Sequence, residues 1–263
     1  MKAVNFIAFA VATALSGFAS AQSTDETADS EWDFVFTPYL SLPVATTGTT
    51  TVSGFSADIG LDLNDILTNL NFAVSGRFEA WRGDFGAIAD IYYVNIGGSA
   101  TGTLPGPGAL EARVDVTLRQ GRAALFGAYR FADEAYTDDG LRYRLEAGAG
   151  AQFNLIDQDV DFTRLPSLGG EETWFEPVVM LRGRVDVTQE LSFVTRGEFG
   201  GFGVGGDQLQ WNVIAGLDYQ AWENTSIGFG WIFYGIDFVT DRSNGKFRYD
   251  IFQTGPFVSA SYR

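Results

Sequence analysis

The chain has 263 residues, no cysteine, no histidine and a formal charge of −16. Those absences exclude a Ser-His-Asp triad, histidine-metal ligation, a thiol nucleophile, a disulfide framework and a thiolate zinc site. The acidity argues against a nucleic-acid partner, which needs a clustered basic surface.

The amino end reads as a secretory signal. Met1-Lys2 forms a short positive region, Val4 to Leu15 an apolar one, and Ala19-Ser20-Ala21 a small-residue cleavage box. The apolar stretch falls short of the roughly 20 residues that a spanning helix needs. Residues 1–21 are therefore expected to be removed, leaving Gln22 first. Residues 22–31, with Asp25, Glu26, Asp29 and Glu31, read as a disordered acidic periplasmic lead-in, and residues 32–263 as one domain.

From Trp32 onward the period is two. Expected strands run over Trp32 to Leu42, Thr49 to Ile59, Asn71 to Arg82, Phe85 to Ile96, Leu110 to Phe131 and Leu141 to Leu155. They continue over Trp174 to Val187, Leu191 to Phe202, Leu209 to Ala221, Thr225 to Phe238 and Phe247 to Arg263. Between the second and third, Asp62 to Leu70 reads as one or two capped helical turns. In Leu141 to Asn154 the polar set Arg142, Arg144, Glu146, Gln152 and Asn154 opposes Leu141, Tyr143, Leu145 and a run of small and aromatic residues. A strand must place such sets on opposite faces. Glu111 to Arg119 alternates in the same way.

The composition suits this reading: 32 glycines relieve crowding at turns and bends, and 15% aromatics cover an apolar face. A soluble sandwich is the plain alternative. The strand lengths, the alternation of tight and long turns and the aromatics near strand ends favour an all-β transmembrane antiparallel up-and-down barrel. Such barrels have an even strand count. The eleven segments thus imply about 12 strands, with 10 as the alternative; the amino-terminal third is the doubtful part, and Leu110 to Phe131 could hide two strands.

In that phase the basic residues expected to line the lumen are Arg77, Arg113, Arg119, Arg142, Arg144, Arg182, Arg184 and Arg196. The acidic ones are Glu79, Asp90, Glu111, Asp115, Glu146, Asp186, Glu198 and Asp218. Only Lys2 and Lys246 are lysines, and arginine suits fixed bidentate pairs in confined polar space. Two other motifs carry less. Asp157, Asp159 and Asp161 start like a calcium loop, but Phe162 stands where the glycine is needed and Leu168 where the bidentate Glu should be. Gly200 to Gly206 lacks the Lys-Ser/Thr of a phosphate loop and reads as a glycine-rich hairpin.

Trp174-Phe175-Glu176-Pro177, then Leu181-Arg182-Gly183-Arg184, Gly200-Gly201-Phe202-Gly203-Val204-Gly205 and Gly255-Pro256 together resemble a poorly characterised proteobacterial family of outer-membrane β-barrel proteins. Thr37-Pro38-Tyr39-Leu40, Asp65-Ile66-Leu67, Leu70-Asn71-Phe72 and Phe78-Glu79-Ala80 fit the same family. The resemblance implies an outer-membrane barrel and no particular substrate. Two features depart from it: Gly230-Trp231-Ile232 stands where the family usually has Gly-Tyr-Arg, and the sequence ends Ser261-Tyr262-Arg263, without a terminal aromatic.

The functional expectation is a passive channel for small polar or charged solutes; the alternative is a non-conducting structural or surface-interaction barrel. No catalytic role, cofactor or metal is expected. Outer-membrane lipid, lipopolysaccharide and the outer-membrane assembly machinery are the expected partners, small polar solutes are possible ones, and the external loops are expected at Ile156 to Thr173 and Thr240 to Lys246.

Overall fold

The computed structural model describes residues 31–52, 55–103, 111–162, 168–243 and 245–263. The expected signal and most of the lead-in lie outside the described residues. In chain order the elements are β1 (Asp33–Ser41), β2 (Ala45–Val52), β3 (Phe55–Asp62), α1 (Leu63–Asn69), β4 (Leu70–Arg82), β5 (Phe85–Thr103) and β6 (Glu111–Ala135). They continue as β7 (Arg142–Phe162), β8 (Leu168–Asp186), β9 (Leu191–Gly200), β10 (Asp207–Trp222), β11 (Thr225–Arg242) and β12 (Gly245–Tyr262).

All pairings are antiparallel. Ten strands close a ring in the order β1-β4-β5-β6-β7-β8-β9-β10-β11-β12, with β12 returning to β1 through Phe36–Tyr262 to Ser41–Phe257. β2 and β3 stand outside the ring as a hairpin on the far end of β12, where Ala45–Thr51 pairs with Arg248–Thr254. Both expected strand counts thus have a counterpart: twelve in the sheet, ten in the barrel. The expected single strand over Thr49 to Ile59 is instead this hairpin. The long segment after Leu110 is one strand of 25 residues.

Tight turns at Gly83-Asp84 and Glu223-Asn224 and short ones over 136–141 and 187–190 gather at one rim, where β1 also begins and β12 ends. Short turns mark the periplasmic side of such barrels. Gly83 has φ 58°, the left-handed conformation that a side chain would oppose.

A membrane strand needs only about 9 to 11 residues, so β5 to β8, β11 and β12 continue well beyond it. Two aromatic girdles bound the spanning part. Phe34, Phe85, Tyr129, Phe131, Phe193, Tyr219, Trp222 and Tyr262 ring the periplasmic rim, and Phe72, Phe175, Phe199, Phe233 and Phe252 the outer one, all exposed on the outward face. Past the outer girdle β6, β7, β11 and β12 keep their phase but invert their polarity. On β6, Leu125, Tyr129 and Phe131 point out within the band; above it Leu118 packs inward and Arg119 faces out. On β12, Val258 and Phe252 point out, whereas Phe247, Tyr249 and Ile251 are buried inside and Arg248 pairs outward with Asp250. Lipid demands apolar outward residues and water demands polar ones, so one strand satisfies both solvents in succession.

The part above the girdle is therefore a collar with its own apolar core of Ile156, Trp174, Tyr234, Ile236, Phe238, Phe247, Tyr249 and Ile251. The expected external loop over Ile156 to Thr173 is mostly β7 and β8 continuing into this collar.

α1 is the expected helical turn. Asp62 caps it, accepting from Asp65 N at 2.9 Å while Asp65 accepts from Asp62 N at 3.2 Å. Among the described residues no ladder joins β3 to β4 or β5. α1 packs between β3 and β5 and points buried Ile66 inward.

Candidate functional site: a filled lumen

In the membrane band the inward positions carry charge because hydrocarbon excludes it from the outward ones, at about 2–4 kcal/mol per charge near the midplane. The inward residues of β4, β5 and β7 to β10 meet across the barrel. Arg182 (β8) donates to Glu79 (β4) at 2.7 and 2.8 Å and to Glu146 (β7) at 2.5 Å. Arg196 (β9) reaches Asp90 (β5) at 2.9 Å, and Arg77 (β4) holds the same carboxylate at 2.9 Å. Arg196 also pairs with Glu198. Strands four places apart in a ten-stranded ring lie nearly opposite one another, so these pairs span the lumen.

Other charges sit toward the periplasmic rim. Arg184 pairs with Asp218 at 2.5 Å and with Asp186 at 3.6 Å. Arg142 and Arg144 share Asp133 at 2.9 Å each, and Arg130 approaches it at 3.9 Å. Burial opposes ionisation of Asp133, but the hydrogen bonds and charges of Arg142 and Arg144 outweigh it and hold the carboxyl below its ordinary range.

Of the expected lumen charges, Arg77, Glu79, Asp90, Arg142, Arg144, Glu146, Arg182, Arg184, Asp186, Arg196, Glu198 and Asp218 lie on the inner phase. The β6 group does not. Arg119 faces outward on the collar, bonded to Asp157 and to Asp159 at 3.3 Å. Asp115 shares its phase, opposite Asp161. The side chains of Glu111 and Arg113 lie outside the described residues. The error has a physical cause: Glu111 to Arg119 alternates as clearly as any strand, but above the girdle the polar face is the outer one.

The inward residues of β6 that the sequence reading missed are Arg122, Arg130 and Asp133. Arg122 lies between the rings of Tyr92 (5.6 Å) and Tyr234 (5.2 Å), and Arg130 lies 4.6 Å over Trp81. A bulge between Arg130 and Ala132 then shifts the phase, turning Asp133 inward. Arg122 and Arg130 share a parity, which could have flagged them; a bulge leaves no such mark in the sequence.

Three layers fill the lumen above the rim. The first is the ion-pair lattice, with Trp81, Ile88, Phe126, Val178 and Met180 packed beside it. The second is an amide layer, in which Gln152 donates to Glu176 at 3.0 Å and to Gln210 at 2.5 Å, and Trp174 Nε1 donates to Glu176 at 2.9 Å. The third is the collar core, where Trp174 stacks on Phe238 at 4.0 Å. Burial in that core, and then Tyr234 and Tyr92, push the Tyr249 hydroxyl far above its ordinary range. Gln152, Gln210, Phe247 and Tyr249 are each 0% exposed, so a water-sized sphere does not reach these inward side chains.

Alongside the lattice a cavity of about 170 Å³, bordered by Arg77, Glu79, Arg182 and Arg196, opens at the periplasmic rim, where Asp33, Ser226, Ser261 and Arg263 line its mouth. Among the described residues no group of three or more Asp or Glu is placed to hold a metal ion. Asp157, Asp159 and Asp161 form no loop: they lie at alternate positions of β7.

No protein-family model matches the chain, and no curated protein matches it in sequence. In fold it is similar to the outer membrane protease OmpT from Escherichia coli, with a TM-score of 0.52 at 13% identity, covering 88% of this chain and 96% of that one. The translocator domain of autotransporter NalP from Neisseria meningitidis also matches, at TM-score 0.42 and 11% identity over 88% of each chain. At such identities the likeness concerns architecture alone. The closed ring, the outward apolar band and its two girdles make the chain an outer-membrane β-barrel, and the fold shared with OmpT agrees with them.

Proposed function

We propose that this protein is a non-conducting barrel of the outer membrane, sealed along its axis, whose collar serves as a surface-interaction element. The observation that carries this reading is the complete burial of inward side chains at two successive levels, Gln152 and Gln210 in the amide layer and Phe247 and Tyr249 in the collar core (all 0% exposed). A diffusion pore leaves its lining side chains wet. The passive channel expected from the sequence requires a continuous aqueous path, and the buried amide layer and collar core above the ion-pair lattice stand in its way. Small polar solutes are accordingly not assigned as cargo.

The collar's outer face carries Asp157, Asp159, Asp237 and Asp250, tied in part by Arg119 and Arg248. It stands just above the outer girdle, at the level of the lipopolysaccharide headgroups, which supports a role in contacting the envelope surface. The assembly machinery is the partner through which such a barrel reaches the membrane. Swelling of proteoliposomes in small sugars tests the sealed axis. The expected rate equals that of protein-free vesicles; a sugar-dependent increase would restore the channel reading.

A further inference from the structure

The cavity at the periplasmic rim has two unlike walls. On one side Arg144 and Arg184 stand in register on β7 and β8, directly opposite each other on the inner face. Their carboxylate partners lie on opposite flanks: Asp133 on β6 holds Arg144 at 2.9 Å, and Asp218 on β10 holds Arg184 at 2.5 Å. The two like charges are thus drawn apart with the cavity open to both, and their side chains stay 30% and 25% exposed. Asp133 is also shared with Arg142 and Arg130, so Arg144 receives only part of one carboxylate, whereas Arg184 has Asp218 and, at 3.6 Å, Asp186; with five N–H donors each, both guanidiniums keep donors to offer.

Toward β10–β12, Ile214, Ile232 and Phe257 line the cavity, with Val194 beside Arg184 on the adjoining β9. Inward apolar residues inside the membrane band have no lipid to satisfy. Elsewhere in this lumen they pack into a cluster, as Ile88, Phe126 and Val178 do, whereas here they border open space. About 170 Å³ is comparable to the roughly 150 Å³ apolar void that accommodates benzene. An apolar wall facing convergent polar groups, here also Arg77, Arg130, Arg182 and Arg196, is the make-up that orients a small molecule with one polar end.

We propose that this cavity binds a small monocarboxylate with a compact apolar body, an aromatic or cycloaliphatic acid entering from the periplasm. The carboxylate lies between Arg144 and Arg184, where planar guanidinium forks match its two oxygens. The ring lies against Ile214 and Ile232. Glu79, Glu146 and Asp218 also line the cavity but are held by Arg182, Arg130 and Arg184. The site sits below the seal, so binding requires no passage through the barrel and goes beyond the sealed-barrel reading.

The test is 19F NMR titration of the full-length mature protein in lipid nanodiscs with 4-fluorobenzoate and, in parallel, 4-fluorobenzyl alcohol. The expected result is saturable one-to-one binding of the acid, at least tenfold tighter than the alcohol. Ile232→Trp, which fills the cavity from its apolar wall, should abolish binding while leaving the boiling-dependent gel shift intact. Arg144→Gln should weaken the acid about tenfold and leave the alcohol unchanged. If Ile232→Trp fails to assemble, Ile214→Phe takes its place. Absence of saturable binding, equal affinity for acid and alcohol, or binding that survives the filled cavity would each overturn the proposal. Channel activity in the same nanodisc protein would bear on the sealed axis and not on this site.

Discussion

Arg182 on β8 crosses the lumen to Glu79 on β4 through two hydrogen bonds of 2.7 and 2.8 Å, and Trp81 Nε1 donates to the same carboxylate at 2.9 Å. Glu79 is 5% exposed. The pair is thus a buried tie between nearly opposite walls, the geometry in which removing one partner costs far more than removing both.

Glu79→Ala should accordingly destabilise the barrel, by less than the about 3–5 kcal/mol of an uncompensated buried charge because Arg182 keeps Glu146. The double variant Glu79→Leu, Arg182→Met should recover a large part of that loss, since Glu146 keeps Arg130 at 3.2 Å. The temperature at which the folded band disappears on unboiled gels measures both. A double variant as weak as the single one would show that the tie is not the main contribution.

The polarity inversion between band and collar makes a position-specific prediction. Leu181, 57% exposed on the outward face of β8 in mid-band, should not tolerate Arg, at about 2–4 kcal/mol. Thr117→Arg on β6, outward on the collar and opposite Asp159, should assemble normally. Equal assembly yields from denaturant would place the membrane boundary elsewhere.

Between β6 and β7 a Cβ at Gly150 would overlap the Leu125 carbonyl oxygen, whereas at Gly127 the nearest atom to a Cβ is 4.0 Å away. Gly150→Ala should force the two strands apart and cost at least the 1–3 kcal/mol typical of overpacking, roughly. Gly127→Ala should be close to neutral. Urea midpoints of the two variants check the contrast.

Acid should act at the periplasmic rim, beyond the span of β6 that ends at Phe131. The folded pKa of Asp133 is lowered by Arg142 and Arg144. Its contribution is therefore present above the unfolded carboxyl value of about 3.9 and lost as pH falls through the lower folded value. Asp133→Asn should be less stable than the parent at pH 7, and the gap should close below about pH 4. A gap that persists or widens in acid would reverse the sign of this linkage.

The barrel was legible because lipid imposes alternation on every spanning strand, and the inner phase of β7 to β10 follows directly from Arg142, Arg182, Arg196 and Asp218. The collar was not, because alternation alone does not say which face meets water. Leu118 and Leu125 lie seven positions apart on one strand and so on opposite faces, one in the collar and one against lipid. The hairpin of β2 and β3 escaped notice because β2 is a threonine run without alternation, although on β3 Phe55, Ala57, Ile59 and Leu61 alternate with Ser56, Asp58, Gly60 and Asp62. Which charges meet across the lumen depends on the order of strands around the ring. Arg182 and Glu79 are 103 positions apart, and no local pattern relates them.

The sealed axis is tested most directly by single-channel recording of the purified, heat-modifiable protein in planar bilayers. The account predicts a baseline free of discrete conductance steps in the parent protein, at high salt and at either polarity. Stable ohmic openings in the fully folded protein would contradict it.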